Sequence, residues 1–257
     1  MNAIEDTHTR PHAALDKAQW LRHLRRGAEK LGLELDDGKT ALLEVFAKEL
    51  LAANERLNLT RIVDPVELAD KLLLDSVYPG KFLEGEGRVL DLGTGGGVPG
   101  VPIKIARPEV ELTLIDGKRK KINFVKYVIR KLGLEGIEAR QVRVEELAGE
   151  GVRFGCVITR AVASLTDLLR MAFPLLEPGG VMVAMKGAQY QEEIWAFKET
   201  GKIVCEGRRI VDPGSLDIGV ERYQLPFSGL DRALIFIRER GQDIYGVSRS
   251  KKIFSKE

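Results

Sequence analysis

The first third of the chain has apolar residues at the spacing of helices that bury one side. From about Ala13 to Leu31, and again from about Lys39 to Arg56, apolar positions recur every three or four residues. A third helix is predicted from residue 64 to about 77, because the run Asp-Pro-Val-Glu at 64–67 is a strong helix-start signature. We therefore predict a helical N-terminal cap over residues 1–80.

From residue 81 onward, short apolar runs alternate with helical periods. The predicted strands are 88–92, 111–115, 137–142, 154–159, 181–185, 202–211 and 233–238, and the predicted helices are 118–132, 165–173 and 189–199. Alternating strands and helices are typical of right-handed βαβ units around a parallel sheet. No helix-length pattern separates the last two strands, so we expect the final strand to insert antiparallel. The sequence thus predicts an α/β domain over residues 81–257 with a doubly wound, mostly parallel, seven-stranded sheet.

Composition is that of a globular protein. Hydrophobic residues make up 44% and charged residues 30%, and no apolar run approaches the ~20 residues that a membrane span needs. The N-terminus lacks the basic start and apolar stretch of a signal peptide, so we expect a cytoplasmic protein without a membrane partner. All three histidines fall in the first 23 residues and no metal-ligand spacing is present, so no metal site is expected. With a net charge of +2, the protein would bind a polyanion through local basic patches.

A glycine cluster follows the first predicted strand and precedes a helix start, in the segment VLDLGTGGGVPG at 89–100. Gly95, Gly97 and Gly100 match the spacing of a dinucleotide-binding fingerprint. In that fingerprint the strand runs directly into the first glycine, whereas here Gly93 and Thr94 intervene. An NAD-dependent oxidoreductase is therefore the weaker interpretation of this loop.

Asp91, in the same strand, favours a cofactor without phosphate. Its carboxylate would repel a pyrophosphate but would suit a ligand with an ammonium group, and S-adenosylmethionine carries an amino group, a sulfonium and no phosphate. The glycines would let such a ligand approach the backbone closely. Asp116 ends the second strand, where an acidic residue accepts hydrogen bonds from ribose hydroxyls. Alternatively, Asp116 only caps the following helix.

Eight segments, in order, resemble a known family. They are NLTRIVDP (58–65), LLDS (73–76), VLDLGTGGGVPGVPIKI (89–105), LIDGKRKKINFV (114–125), QVRVEEL (141–147), ITRAVASL (158–165), KG (186–187) and YQLP (223–226). From about Asn54 to Arg238 the chain is similar to ribosomal RNA small-subunit methyltransferase G, also called glucose-inhibited division protein B. The family often has a histidine just before LLDS. Here Leu72 stands in its place, so no role of that histidine carries over.

The resemblance implies a Rossmann-like fold of the S-adenosylmethionine-dependent methyltransferase type and N7 methylation of a guanosine in 16S ribosomal RNA. The implied partner is the small-subunit ribosomal RNA or a pre-ribosomal particle, and we expect a monomer. Residue patterns and resemblance together give the candidate site. The catalytic candidates are Arg160 and Lys186. The candidates for cofactor binding are Asp91, Gly93, Thr94, Gly95, Gly97, Val98, Asp116, Val144, Glu145 and Arg160. The candidates for substrate binding are Asn58, Thr60, Asp75, Ser76, Lys118, Arg119 and Lys186.

Purely structural roles stay open for several of these side chains. Arg160 would then form an ion pair with Glu145 or Glu146. Val144 would be ordinary core packing, and Lys186 would be a solvated residue at a helix start.

The basic run KRKK at 118–121 opens a predicted helix whose dipole disfavours each exposed cation by ~0.3–1 kcal/mol. A pattern that breaks a local rule without local gain points to function, here contact with RNA phosphates. The alternative is a solvated face partly offset by Asp116.

The residues after the fourth predicted strand agree with methylation of a ring nitrogen. Guanine N7 has a free lone pair near neutral pH, so its methylation needs alignment and water exclusion rather than a general base. The segment TRAVAS at 159–164 lacks the prolines usual in methylation of an exocyclic amine. Neither Cys156 nor Cys205 is placed as the nucleophile that methylation of a ring carbon requires. A methyltransferase for a small molecule or a protein, and a non-catalytic RNA-binding protein, stay as alternatives.

Overall fold

A computed structural model of the 257-residue chain describes residues 17–83, 87–160, 163–205 and 210–241. The first two predicted helices are confirmed as α1 (Lys17–Lys30) and α2 (Asp37–Leu57), and residues 13–16 of the first prediction lie outside the described residues. The side chain of Asp36 starts α2 by accepting a hydrogen bond from the Lys39 backbone N–H at 2.7 Å, and Asn58 ends the helix in the left-handed conformation with φ +50°.

The third predicted helix is present, but its winding changes along its length. Asp64 caps α3 (Pro65–Glu67) with its side chain, and a π-helical stretch, Leu68–Leu74, follows. The chain then continues through α4 (Asp75–Val77) and a 3₁₀ turn, Tyr78–Phe82. π-Helical segments are rare in proteins, and those that occur are often found at functional sites.

The predicted sheet is confirmed. The described strands are β1 (Val89–Leu92), β2 (Leu112–Asp116), β3 (Ile137–Gln141), β4 (Phe154–Thr159), β5 (Leu176–Lys186), β6 (Ile203–Val204), β7 (Ile210–Val211), β8 (Leu216–Gln224) and β9 (Asp231–Glu239). Seven of them form one sheet in the order β3-β2-β1-β4-β5-β9-β8. Its neighbours are parallel except for the pairs that β9 makes with β5 and β8. The doubly wound sheet therefore has the expected antiparallel last strand.

The strand predicted over 202–211 is wrong. Its two ends, β6 and β7, pair with each other in a separate two-stranded sheet, and residues 206–209 lie outside the described residues. The seventh strand of the main sheet is instead β8, which lies at the edge. Its apolar residues at 216, 218 and 220 alternate with polar residues or glycine, which is a weaker signal than the continuous apolar runs of strands buried on both faces.

Helices flank the sheet on both faces. They are α5 (Gly100–Ala106), α6 (Arg119–Lys131), α7 (Val144–Gly149), α8 (Leu165–Ala172) and α9 (Tyr190–Glu199). The predictions for α6, α8 and α9 are confirmed within a few residues. Helix α7 was not predicted, because six residues contain too few helical periods to be recognised. Across the described ranges, no helix is both long and apolar enough to cross a membrane.

The N-terminal helices share one hydrophobic core with a face of the sheet. Trp20, Phe46 and Leu73 belong to the same buried cluster as Val125 and Phe236. The opposite face is covered by a second cluster that includes residues of α8 and α9. The cap is thus packed directly against the domain that carries the glycine loop.

The strand order reverses between β1 and β4, which are neighbours in the sheet. In doubly wound folds, ligands bind at the carboxyl ends of the strands at such a switch point. Asp91 and Asp116 lie in or at the end of β1 and β2, while Arg160 and Lys186 lie at the ends of β4 and β5. The topology therefore brings these four candidates to one edge of the sheet.

Candidate active site

The carboxylate of Asp91 holds the loop that follows β1. Asp91 is fully buried, and its Oδ2 accepts hydrogen bonds from the Thr94 hydroxyl at 2.6 Å and from the Gly100 backbone N–H at 2.8 Å. A Cβ at position 100 would lie 2.7 Å from the same oxygen, so this approach requires glycine. One carboxylate oxygen thus ties the start of the loop to the start of α5.

The second carboxylate oxygen of Asp91, Oδ1, is buried and has no hydrogen-bond partner within the described parts of the chain. Burial raises the pKa of Asp91 to about 7, although the hydrogen bonds from Thr94 and Gly100 favour the ionised form. An unpaired buried carboxylate oxygen is costly unless a ligand supplies a donor. This position therefore fits a cationic or hydrogen-bond-donating group.

The glycine loop is open at its start and tightly packed further on. Gly93 and Gly95 have φ of +77° and +56°, and a Cβ at position 93 would have no atom of the described residues within 4 Å. At Gly96 a Cβ would lie 2.8 Å from Leu50 Cδ1 and 3.2 Å from Leu59 Cβ. The cap thus contacts the backbone of the loop at one point and leaves space beside Gly93.

Asp116 bonds to the glycine loop and to the residue that precedes the next helix. Its Oδ2 accepts the Gly95 backbone N–H at 3.1 Å, and its Oδ1 accepts the Lys118 backbone N–H at 2.8 Å. Lys118 is the N-cap residue of α6, and that helix has no side-chain cap. The alternative interpretation of Asp116 as a helix cap is therefore not confirmed, and its two hydrogen bonds hold the carboxylate against the candidate cofactor loop.

The loop at 58–60 lies beside the glycine loop because Asn54 shapes it. The Asn54 side-chain oxygen accepts the backbone N–H groups of Leu59 at 2.6 Å and Thr60 at 2.8 Å. Thr60 in turn accepts the Ile62 N–H through its hydroxyl at 3.0 Å. Since Leu59 contacts the glycine loop, the structure brings the neighbouring Asn58 and Thr60 to this edge of the sheet.

Arg160 is held by the cap. Its Nη1 donates to the Ser76 hydroxyl at 3.1 Å, its Nη2 donates to the Lys71 carbonyl at 2.5 Å, and Nη2 lies 2.9 Å from Asp75 Oδ2. The alternative ion pair with a glutamate of α7 is therefore wrong. Arg160, which follows β4, instead forms a single cluster with Asp75 and Ser76 of the cap.

Lys186 is buried rather than solvated, with 8% of its surface exposed. Its ammonium group donates to the Ala163 carbonyl at 2.7 Å and lies 2.6 Å from Glu193 Oε2. The alternative of a solvated residue at a helix start is thus wrong. Lys186 links the end of β5 to the segment after β4 and to α9.

The remaining candidates line the β2–β3 side of the sheet edge. Val144 is half-buried and packs against the second core cluster, whereas Glu145 is exposed. Lys118 and Arg119 are exposed, and no ion pair of the described residues involves the run 118–121. The basic run is therefore available to an external polyanion.

Comparison with known proteins gives the family. The family model described as rRNA small subunit methyltransferase G matches residues 39–208. The chain belongs to this family. A Geobacter sp. (strain M21) protein named ribosomal RNA small subunit methyltransferase G is 39% identical over 215 residues, which are 83% of this chain and 95% of that protein. A protein of the same name from Deinococcus radiodurans is 39% identical over 222 residues, 84% of each chain.

A solved structure of a putative O-methyltransferase from Klebsiella pneumoniae shares the fold, with a TM-score of 0.52 at 14% identity over 86% of this chain and 97% of that one. The resemblance carried by the eight motifs and the Rossmann-like methyltransferase fold are therefore both confirmed. The rRNA small subunit methyltransferase G model covers every candidate site residue, since these run from Asn58 to Lys186.

Four side chains at the site of this family member were not singled out from the sequence: Asn54, Glu193, Tyr223 and Arg232. Asn54 and Glu193 fall within predicted helices, where polar residues usually face solvent. Tyr223 belongs to the YQLP motif, which was the available signal for it. Arg232 contacts Asp75, which is 157 positions earlier in the chain, and a local sequence pattern cannot predict such a contact.

Replacing Asp91 with Asn is expected to change how stability depends on pH. The pKa of Asp91 is about 7 in the folded protein and lies above the ordinary value of 3.8. As the pH rises, the Asp91 carboxyl therefore ionises at a lower pH in the unfolded chain than in the folded protein. Asp91 therefore destabilises the wild-type fold progressively between about pH 4 and 7, by up to ~1.4 kcal/mol per pH unit, and by a constant amount above that range. The Asp91→Asn side chain keeps an acceptor for Thr94 and Gly100 but does not titrate.

Urea unfolding of wild type and Asp91→Asn across this range measures the effect. The free energy of unfolding of Asp91→Asn minus that of wild type should increase up to about pH 7 and then remain constant. Asp167→Asn, which changes an exposed carboxylate, is the control and should follow wild type. If the free energies of unfolding of wild type and Asp91→Asn depend on pH in the same way, the raised pKa of Asp91 in the folded protein is contradicted.

Proposed function

We propose that this protein transfers the methyl group of S-adenosylmethionine to N7 of one guanosine in small-subunit ribosomal RNA. The observation that carries the proposal is the glycine loop, open beside Gly93 and flanked by two carboxylates, in a chain of the rRNA small subunit methyltransferase G family. Ribosomal RNA is made and assembled in the cytoplasm of bacteria, so we place the activity there, and we propose that a monomer acts.

The residues at the loop fit S-adenosylmethionine better than a dinucleotide. Asp116 brings a carboxylate to one side of the loop, and an ammonium group at the other side would favour the ionised form of Asp91, whereas a pyrophosphate would oppose it. Asp116 also suits ribose hydroxyls. The unpaired Oδ1 of Asp91 is the group that most needs a donor. The proposed binding residues are Asp91, Gly93, Thr94, Gly95, Gly97, Val98, Asp116, Val144, Glu145 and Arg160.

Methyl transfer to guanine N7 requires these residues to align the reactants and does not require them to transfer a proton. When bound, S-adenosylmethionine supplies an electrophilic methyl group on a positively charged sulfur. Guanine N7 attacks with its lone pair and loses no proton, so no general base is needed. Arg160 already directs its Nη atoms to Ser76, Asp75 and Lys71, and we assign it to the orientation of the reactants.

Arg160 and Lys186 are also the proposed source of discrimination between guanine and adenine. Adenine has an N7 lone pair as well, so selectivity requires a donor to guanine O6 or contacts to the Watson–Crick edge. Lys186 shares its ammonium group between Ala163 and Glu193, and contact with guanine would require Glu193 to exchange. Asn58, Thr60, Lys118 and Arg119 complete the proposed substrate surface, whereas Asp75 and Ser76 are buried and would act on the substrate through Arg160, which they bind.

Asp116→Ala is expected to weaken binding of S-adenosylmethionine by ~1–3 kcal/mol, because a buried ribose hydrogen bond would lose its acceptor. Isothermal titration calorimetry measures this directly. Asp212→Ala is the matched control, since Asp212 also accepts a backbone N–H, from Gly214 at 2.8 Å, but caps a turn outside the glycine loop. Equal affinities of the two variants would limit Asp116 to its hydrogen bonds with Gly95 and Lys118.

Replacing Lys118 and Arg119 together with Gln is expected to weaken RNA binding across sequences. The slope of log affinity against log salt should become shallower by up to ~0.7–0.9 per lost phosphate contact, because fewer counterions are released. Lys198→Gln with Lys202→Gln removes the same charge from exposed positions elsewhere. If both double variants give the wild-type slope, residues 118 and 119 are only solvated.

Mapping of the modified base tests the reaction. The protein is incubated with S-adenosylmethionine and small-subunit RNA from cells that lack the enzyme, and the RNA is then treated with borohydride and aniline, which cut at N7-methylguanosine. We expect cleavage at one guanosine, none without the cofactor, and none when that base is adenine. Methyl label on an exocyclic amine, a ribose, a protein or a small molecule would overturn the assignment to N7.

A further inference from the structure

The carboxylate of Asp75 is buried and receives three side-chain donors. It lies directly after the π-helical stretch, and its side chain is 3% exposed. Its Oδ1 accepts the Tyr223 hydroxyl at 2.6 Å, and its Oδ2 lies 2.9 Å from Arg160 Nη2 and 3.5 Å from Arg232 Nε. A buried carboxylate that receives three donors has few remaining positions for a substrate.

The donors come from two separate parts of the fold. Arg160 follows β4 at the candidate active site, whereas Tyr223 and Arg232 lie on the edge hairpin formed by β8 and β9, where they are paired in register. Asp75 therefore joins the hairpin to the active-site arginine through one carboxylate. The same hairpin is held a second time, because Asp70 accepts the backbone N–H of Ser228 at 2.9 Å.

The ring of Tyr223 is fixed independently of its hydroxyl. It stacks on the ring of Tyr78 with centroids 3.9 Å apart and an angle of 18° between planes. Burial and the neighbouring Asp75 raise the pKa of Tyr223, so its hydroxyl stays protonated and donates to the carboxylate. Tyr78 donates its own hydroxyl to Glu221 at 3.0 Å.

The orientation of Arg160 depends on this arrangement. Three contacts of its guanidinium go to the cap, and the charged one goes to Asp75. A carboxylate that accepted no bond from Tyr223 could rotate, and the planar guanidinium would follow it because the pair is charge-assisted and directional. Asp75 thus connects the hairpin to Arg160, although no hydrogen bond among the described residues joins the hairpin to Arg160 directly.

We propose that Tyr223 and Arg232 are positioning residues for methyl transfer, which act through Asp75 to hold the guanidinium of Arg160 toward the reacting groups. This rests on the proposed function for its effect on rate, while the positioning itself is a property of the protein alone. It also gives Asp75 a different role from direct substrate contact.

Tyr223→Phe is the central variant, because it removes the hydroxyl and keeps the stacked ring. Tyr78→Phe is the matched control, since it removes a hydroxyl from the other ring of the same stack without touching Asp75. Under single-turnover conditions with saturating cofactor, Tyr223→Phe should lower the rate of RNA methylation by at least about fivefold, as expected for one lost hydrogen bond, and Tyr78→Phe should stay within about twofold of wild type. Thermal unfolding verifies that both variants are folded.

A double-mutant cycle separates positioning from a general structural effect. If Tyr223 acts through Arg160, its substitution should have little further effect in an Arg160→Lys background, because coupled residues are not additive. The same fold loss in both backgrounds, or a wild-type rate for Tyr223→Phe, would overturn the proposal. A second cycle with Arg232→Lys tests the other donor in the same way.

A measurement on the protein alone keeps this result distinct from the proposed function. The guanidinium N–H signals of Arg160 are assigned by NMR from their loss in Arg160→Lys. They should exchange slowly with solvent in wild type and Tyr78→Phe, and faster in Tyr223→Phe. Unchanged exchange would reject the positioning role even if RNA is methylated. Faster exchange with no methylation of RNA by wild type would support the positioning role and reject the proposed function.

Discussion

A single buried carboxylate, that of Asp91, is the interaction on which the candidate site depends. Its Oδ2 joins the hydroxyl of Thr94 to the backbone of Gly100, and so closes the glycine loop over the end of β1. Asp116 bonds to the outside of the same loop. The glycines alone allow many backbone conformations. The hydrogen bonds to these two acids are therefore what fixes the loop in the conformation that leaves space beside Gly93.

The cap and the sheet are joined by the same kind of interaction. The π-helical stretch and the residue after it carry Asp70 and Asp75, and both bind the β8–β9 hairpin. Apolar packing holds the helices on the sheet but is not directional, whereas these carboxylates define which atoms meet. Arg160 is bound to the cap by this second set of contacts, so the active-site edge and the N-terminal helices form one unit.

The parts of the fold that were predicted correctly are those with strong local patterns. The strands buried on both faces read as continuous apolar runs, and helices such as α6 have a clear apolar side. The errors in the strands fall where the pattern is weak. Strand β8 is an edge strand with one solvated face, and the pair β6 and β7 was joined into one strand because both ends of 202–211 are apolar.

For the site, local pattern was enough to place Asp91, the glycines and Asp116 at the ends of adjacent strands, because strand–turn–helix order dictates which residues reach one sheet edge. It was also enough, through motifs spread over most of the chain, to predict the family. The partners of the charged side chains were decided only by tertiary structure. Arg160 binds Asp75 and not a nearby glutamate, and Lys186 binds Glu193, because burial makes a charge take the partner that packing brings within reach, whatever its separation along the chain.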